Sequence, residues 1–175
     1  MRSKADIRRE LIDWRKNLDA QYIERCSEAI CSRLMDFDEL KIGRVMCYMP
    51  FANEVNVTLL FDFLGNRLYL PVCDGERMTA VKHSGQFTRN RFGIPEPIGH
   101  FADDVMDVVI TPGVAFDAQG YRVGWGQGYF DRFFAERPGV YKIGICYGGQ
   151  MVSDFRPSAY DIPMDIVVTE KRVYP

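Results

Sequence analysis

The chain has 175 residues, a size that suits one domain (1–175), and 47% of them are hydrophobic, enough for a sizeable core. A formal net charge of −2 gives no electrostatic case for a nucleic-acid or membrane-surface partner, and no apolar run approaches the ~20 residues of a membrane-spanning helix. The charged start MRSKADIRRE lacks a secretory apolar stretch, the five cysteines are scattered without a CxxC pair, and the two histidines lie far apart, so a cytoplasmic protein with free thiols and no histidine-based metal site or triad is expected.

Ser3 is positioned to cap a helix running to about Leu18, with Asp6 as capping-box partner and Ile7, Leu11, Trp14 and Leu18 as its apolar stripe. Lys4 and Arg8, four residues apart, project from one side of that helix. By themselves they read as two solvated cations, and Arg9 and Arg15 are expected on the surface. A second helix is predicted from about Ala20 to Met35, capped by Asp19, with Ile23, Cys26, Ser27, Ile30 and Leu34 facing inward. Residues 44–51 read as the first strand, followed by ANEVN and a helical run over about 57–64. Glu54 then falls just past the carboxyl end of a strand, the edge where open α/β sheets bind ligands. A plain loop or helix-start residue is the alternative. Residues 68–73 and 78–82 read as two further strands. In RFGIPEP, residues 91–97, Phe92 alone reads as core.

The middle of the chain is denser in signal. Residues 105–115 form a mostly apolar, β-branched run, which predicts a buried strand. A loop follows with Gly120, Gly124, Gly126 and Gly128, and then a helix over 129–137 with Tyr129, Phe130, Phe133 and Phe134 on one stripe, stopped by Pro138 and Gly139. Strand, glycine loop and helix start together can turn main-chain N–H groups toward one phosphate. Arg122 adds a guanidinium suited to bidentate anion contact, and Asp131 follows on the first helical turn. The spacing is neither GxxxxGK[ST] nor GxGxxG, and a tightly turned loop beside a sheet is the plainer alternative. Residues 141–147 and 166–169 read as the last strands, with Asp165 at the start of the second, where it alone reads as a strand-end residue. Strands alternate with helical stretches and lack polar alternation, so a mainly parallel sheet with helices on both faces is predicted.

The segment TPGVAFDAQGYRVGWGQGYFDRFF resembles the signature of the 5-formyltetrahydrofolate cyclo-ligase (5,10-methenyltetrahydrofolate synthetase) family, roughly PG-aF-D--G-R-G-G-GYYDR. Trp125 and Gln127 depart from the common residues; members often carry Gly or Lys at the second position, so no cation is supplied there. Further matches are Lys4 with Arg8 (K-x-x-x-R), EVNVT (E-[VI]-[DEN]-T), RFGIPEP (aromatic-x-I-x-x-P) and YDIPMDIVVTE, in which Tyr160 stands where the family has His. The resemblance runs from Lys4 to Glu170. It implies an α/β fold, a three-layer α/β/α sandwich on a mainly parallel Rossmann-like sheet, of the kind shared with ribose-phosphate isomerases and CoA-transferases. The implied activity is ATP-dependent cyclisation of 5-formyltetrahydrofolate to 5,10-methenyltetrahydrofolate, with release of ADP and phosphate. The implied partners are small molecules, a reduced folate and MgATP, with the chain a monomer or weak homodimer. By the same resemblance Lys4 and Arg122 are catalytic. ATP is held by Lys4, Arg8, Arg122, Val123, Gly124, Trp125, Gly126, Gln127, Gly128, Tyr129 and Phe130. The folate meets Met49, Glu54 and Phe92 along with Trp125, Gly126, Gln127, Gly128 and Tyr129, and Asp131 and Asp165 serve Mg²⁺. Two other readings stay open: a related binding protein without turnover, and a sugar-phosphate isomerase that works without ATP.

Overall fold

The computed structural model describes residues 1–90, 93–99 and 106–175. Helix α1 (Lys4–Lys16) opens the chain, capped by Ser3, whose hydroxyl oxygen accepts from the Asp6 N–H at 3.1 Å. The Asp6 carboxylate accepts the Ser3 O–H at 2.6 Å, so the cap closes side chain to side chain. Helix α2 (Ala20–Met35) is capped by Asp19, which accepts from the Gln21 N–H at 3.2 Å, and it buries Cys26, Ser27, Ile30, Cys31 and Leu34. A short α3 (Asp38–Ile42), not anticipated from the sequence, adds Leu40 to the core.

Of the strand expected over 44–51, only β1 (Val45–Met46) pairs in the ladder. Cys47 still donates to the Tyr69 carbonyl at 2.9 Å, and beyond it the chain leaves the sheet. The next helical run begins as a 3₁₀ turn (Val57–Leu60) and passes into α4 (Phe61–Leu64). Then come the antiparallel hairpin β2 (Leu68–Asp74) and β3 (Arg77–Lys82), and a ribbon of β4 (Phe87–Arg89) with β5 (Pro95–Pro97). The apolar run predicted as one strand is two: β6 (Val108–Pro112) and β7 (Ala115–Phe116). Gly113 turns the chain between them where no side chain fits, because a Cβ there would lie 2.4 Å from the Phe116 ring. Strand β7 pairs with β8 (Arg122–Val123), and α5 (Tyr129–Ala135), β9 (Tyr141–Ile145), β10 (Ile166–Val168) and β11 (Val173–Tyr174) complete the order.

The main sheet runs β11-β10-β9-β6-β1-β2-β3. Its five inner strands are parallel, with Val45 beside both Leu68 and Val108, and Ile145 beside Val168; the edge strands β3 and β11 are antiparallel. Alternate residues feed two cores. Val45, Cys47, Val108 and Ile110 pack on one face with Cys26, Ile30 and Leu34 of α2, while Met46 and Val109 pack on the other with Phe133 and Phe134 of α5. These are three layers, and each fully buried aliphatic residue contributes about 1.5–3 kcal/mol. A smaller cluster of Ile7, Leu11, Val114, Ala115, Val123 and Phe155 docks α1 on the β7–β8 hairpin. Among the described residues no helix is long and apolar enough to cross a membrane.

Strand order reverses at β1, which has the later β2 on one side and the still later β6 on the other. In a doubly wound sheet the connections diverge at such a point and leave a crevice at the carboxyl ends of the two strands.

Candidate active site

A cleft of about 770 Å³ opens at that crevice. Met49, Phe51 and Glu54 reach it from the segment after β1, and Pro112 from the end of β6. Lys4 and Arg8 enter from α1, Arg122 from β8, and Gly124, Trp125, Gly126, Gln127, Gly128, Tyr129, Phe130 and Asp131 from the glycine loop and the start of α5. Residues predicted from opposite ends of the chain thus meet on one cavity.

Arg122 is buried, with Nη2 2.9 Å from Asp131 Oδ1 and Nη1 donating to the Ile162 carbonyl at 3.3 Å. Its guanidinium carbon lies 5.7 Å from the ring centroids of both Phe130 and Phe134. Burial pulls its pKa below the ordinary arginine value, and the neighbouring Asp131 and Asp161 carboxylates oppose this. Lys4 pairs with Asp161. Arg8 Nε donates to the Gly124 carbonyl at 2.7 Å, and its guanidinium faces Gly126, where the backbone has φ +105°. The pair is therefore part of the cleft wall and not a solvated surface pair. Gly128 caps α5 in the left-handed conformation without a capping side chain, so it offers no competing oxygen to the first-turn amides.

The far end of the cleft is built differently. Ala52 (φ 49°) and Asn53 (φ 59°) take the left-handed conformation in succession and fold the chain back, and Asn53 Nδ2 donates to the Arg15 carbonyl at 3.0 Å. Glu54, 7% exposed, then accepts from its own turn, Phe51 N–H at 3.1 Å, and from the Trp125 indole N–H at 3.1 Å. Burial raises the Glu54 pKa; Arg15, then the Trp125 and Phe51 hydrogen bonds, push it back down. Arg15 is not at the surface as expected. It is 1% exposed, with Nη1 3.8 Å from Glu54 Oε1 and its guanidinium carbon 5.2 Å from the centroid of Trp125.

One end of this cavity is cationic and rich in main-chain amides, and the other offers a buried carboxylate between apolar walls. The shape suits an elongated ligand pair, phosphates at one end and a flat hydrogen-bond donor at the other. The model of the 5-formyltetrahydrofolate cyclo-ligase family matches residues 1–170. The chain belongs to that family. A relative named probable 5-formyltetrahydrofolate cyclo-ligase in Schizosaccharomyces pombe is 29% identical, with 86% of this chain and 87% of that protein aligned. One in Saccharomyces cerevisiae is 35% identical over 71% of this chain and 74% of its own length. The solution structure of Aquifex aeolicus 5,10-methenyltetrahydrofolate synthetase superimposes with a TM-score of 0.87 at 34% identity, covering 97% of this chain and 91% of that one.

The cyclo-ligase signature divides into builders and liners. Asp117 Oδ1 accepts from the Gln119 and Tyr121 N–H groups at 3.0 and 2.9 Å, closing the β7–β8 hairpin. Gly120 (φ +84°) presses on the Met164 carbonyl, which a Cβ would approach to 2.4 Å. These residues shape the hairpin that presents Arg122. Val123 belongs with the builders, since its side chain is wholly buried under α1. Phe92 lies outside the described residues.

Asp165 is not brought to the cleft. It precedes β10 at the amino end of the parallel strands, where its carboxylate accepts the Lys142 N–H at 2.7 Å and pairs with Lys142 Nζ at 2.9 Å. A residue just before a parallel strand lies at the opposite edge from the ligand crevice. The acid of this motif that does line the cleft is Asp161, missed in the sequence although it follows Tyr160. Among the described residues no three acid, Cys or His side chains gather as a metal cage. Asp131 and Asp161 beside Arg122 nevertheless suit magnesium, which is commonly held by one or two carboxylates plus substrate phosphates.

Proposed function

We propose that the protein is an ATP-dependent 5-formyltetrahydrofolate cyclo-ligase producing 5,10-methenyltetrahydrofolate, ADP and phosphate. The observation that carries this reading is the convergence of Lys4, Arg8, Arg122 and the glycine loop on the cavity that also holds Glu54.

A formamide carbon is a poor electrophile and its oxygen a poor leaving group. The formyl oxygen attacks the γ-phosphorus of ATP, the bond to ADP breaks, and N5 carries an iminium phosphate. N10 then attacks the formyl carbon, loses its proton, and phosphate departs with the former formyl oxygen. Most of the protein's work is positioning and charge neutralisation. Lys4, Arg8, Arg122 and the amides of residues 124–128 hold the phosphates. Glu54 accepts hydrogen bonds from the pterin, and Met49, Phe51, Trp125 and Tyr129 wall its rings. Magnesium arriving with the nucleotide would be held by Asp131 and Asp161 together with phosphate oxygens, and supplies neutralisation of phosphate charge. The five free cysteines support a cytoplasmic setting.

The test is to follow the absorbance of the methenyl product after mixing the protein with 5-formyltetrahydrofolate and MgATP. A new band that requires ATP is expected, with Arg122→Ala slowing it about a hundredfold or more. Folate binding without a band would favour a binding protein, conversion without ATP would favour isomerase-type chemistry, and full turnover by Arg122→Ala would remove Arg122 from the reaction.

A further inference from the structure

Arg15 has no place in the family signature, yet it is the most enclosed cation of the site. It stands four residues past Leu11 on α1, so it points inward, behind Glu54 and under Trp125. Among the described residues its guanidinium makes one hydrogen bond, a long one from Nη1 to the Gly113 carbonyl at 3.5 Å, and Nε and Nη2 have no partner. Burying a guanidinium this poorly satisfied is costly unless its charge is used. The nearest use is Glu54, 3.8 Å away, a charge–charge contact too long for a hydrogen bond. Among the described residues Glu54 Oε2 accepts one hydrogen bond, from Phe51, and Oε1 one, from Trp125, which leaves lone pairs for a ligand.

We propose that Arg15 is a positioning residue for the folate: its guanidinium, clamped between Trp125 and Glu54, fixes the carboxylate that receives the pterin. This rests on the cyclo-ligase reading and adds to it the group that makes the Glu54 anchor work. The pterin's N3–H and 2-amino group are adjacent donors, and an ionised carboxylate in a set orientation accepts both. The other titratable groups facing the pair are the phenols of Tyr48 and Tyr147. Burial pushes Tyr48 well up and Tyr147 up to about 12, so both stay neutral across the working range. Arg15 is then the charge that opposes the burial penalty on the ionised form of Glu54. Trp125 completes the clamp from the glycine loop, which links the folate anchor to the phosphate side.

The test compares wild type, Arg15→Met and Arg15→Lys by KM for each substrate and by the pH profile of kcat/KM for the folate. Arg15→Met should raise the folate KM about tenfold or more, move the acidic limb of the profile to higher pH, and leave the ATP KM within about twofold. Arg15→Lys, which keeps the charge but loses the planar fork, should restore the acidic limb and only part of the affinity. An unchanged folate KM and acidic limb in Arg15→Met, or an equal rise in both KM values, would overturn the assignment. If Arg15→Met does not fold, Arg15→Lys decides alone, and a wild-type folate KM there overturns it. Wild type that makes no methenyl product sinks the cyclo-ligase reading instead, while quenching of the intrinsic tryptophan fluorescence by 5-formyltetrahydrofolate still reads the Arg15 effect on binding without turnover.

Discussion

At Glu54 the fold and the chemistry ask for opposite protonation states. Burial raises its folded pKa above the ordinary value, so its contribution to stability is fully present below the unfolded pKa and is lost as pH rises through the folded one. The folate capture proposed for Glu54 needs the ionised form and gains over the same interval. Affinity should therefore rise with pH, through a limb lying above the usual carboxylate range, while the Glu54 contribution to stability falls. The Arg15 partner moderates the conflict. In a double-mutant cycle of Arg15→Met and Glu54→Gln read by denaturant unfolding, the double mutant should be less destabilised than the sum of the singles, with a coupling of about 0.5–3 kcal/mol. Simple additivity would mean the two charges do not support each other. The signal for Arg15 was present in the sequence: the run Ile7, Leu11, Arg15 keeps the four-residue spacing of the inner stripe, but an arginine on that stripe reads as a surface residue until its partner, Glu54, is seen folding back over it. Lys4 with Arg8, by contrast, was readable from helical spacing and motif together.

Among the elements, helices α1, α2 and α5 were readable because their apolar periodicity and caps are local. The strands were harder. Residues 44–51 and 105–115 each look like one apolar strand, yet the first pairs over two residues of the ladder and the second is broken at Gly113 by the Phe116 ring. Apolar composition reports burial but not which sheet a residue joins. Phe116 also explains Gly144 in the middle of β9: a Cβ there would lie 2.5 Å from the Phe116 ring and 2.9 Å from Met164 Cγ. Gly144→Ala should thus overpack that face and cost about 1–3 kcal/mol in thermal unfolding, with both KM values unchanged because neither neighbour lines the cleft. A Tm equal to wild type would show that the face has slack.

For the whole molecule, the parallel sheet was legible from uninterrupted apolar strands, but the order β2-β1-β6-β9-β10 was not, because pairing across the chain leaves no local trace. That order is what creates the crevice between β1 and β6 and decides which acids matter. Asp161 reaches the carboxyl edge and Asp165 stays at the amino edge, a distinction that four residues of sequence do not reveal. The same architecture brings the cations of α1 and β8 and the glycine loop onto one cavity with Glu54, and the proposed reaction there requires direct transfer between the two substrates. The measurement that tests this most directly follows a heavy oxygen isotope placed in the formyl group of 5-formyltetrahydrofolate during turnover with MgATP. The label should leave in inorganic phosphate, in step with the methenyl product. Product formed while the label appears in water or formate, with none in phosphate, would contradict phosphoryl transfer in this cleft.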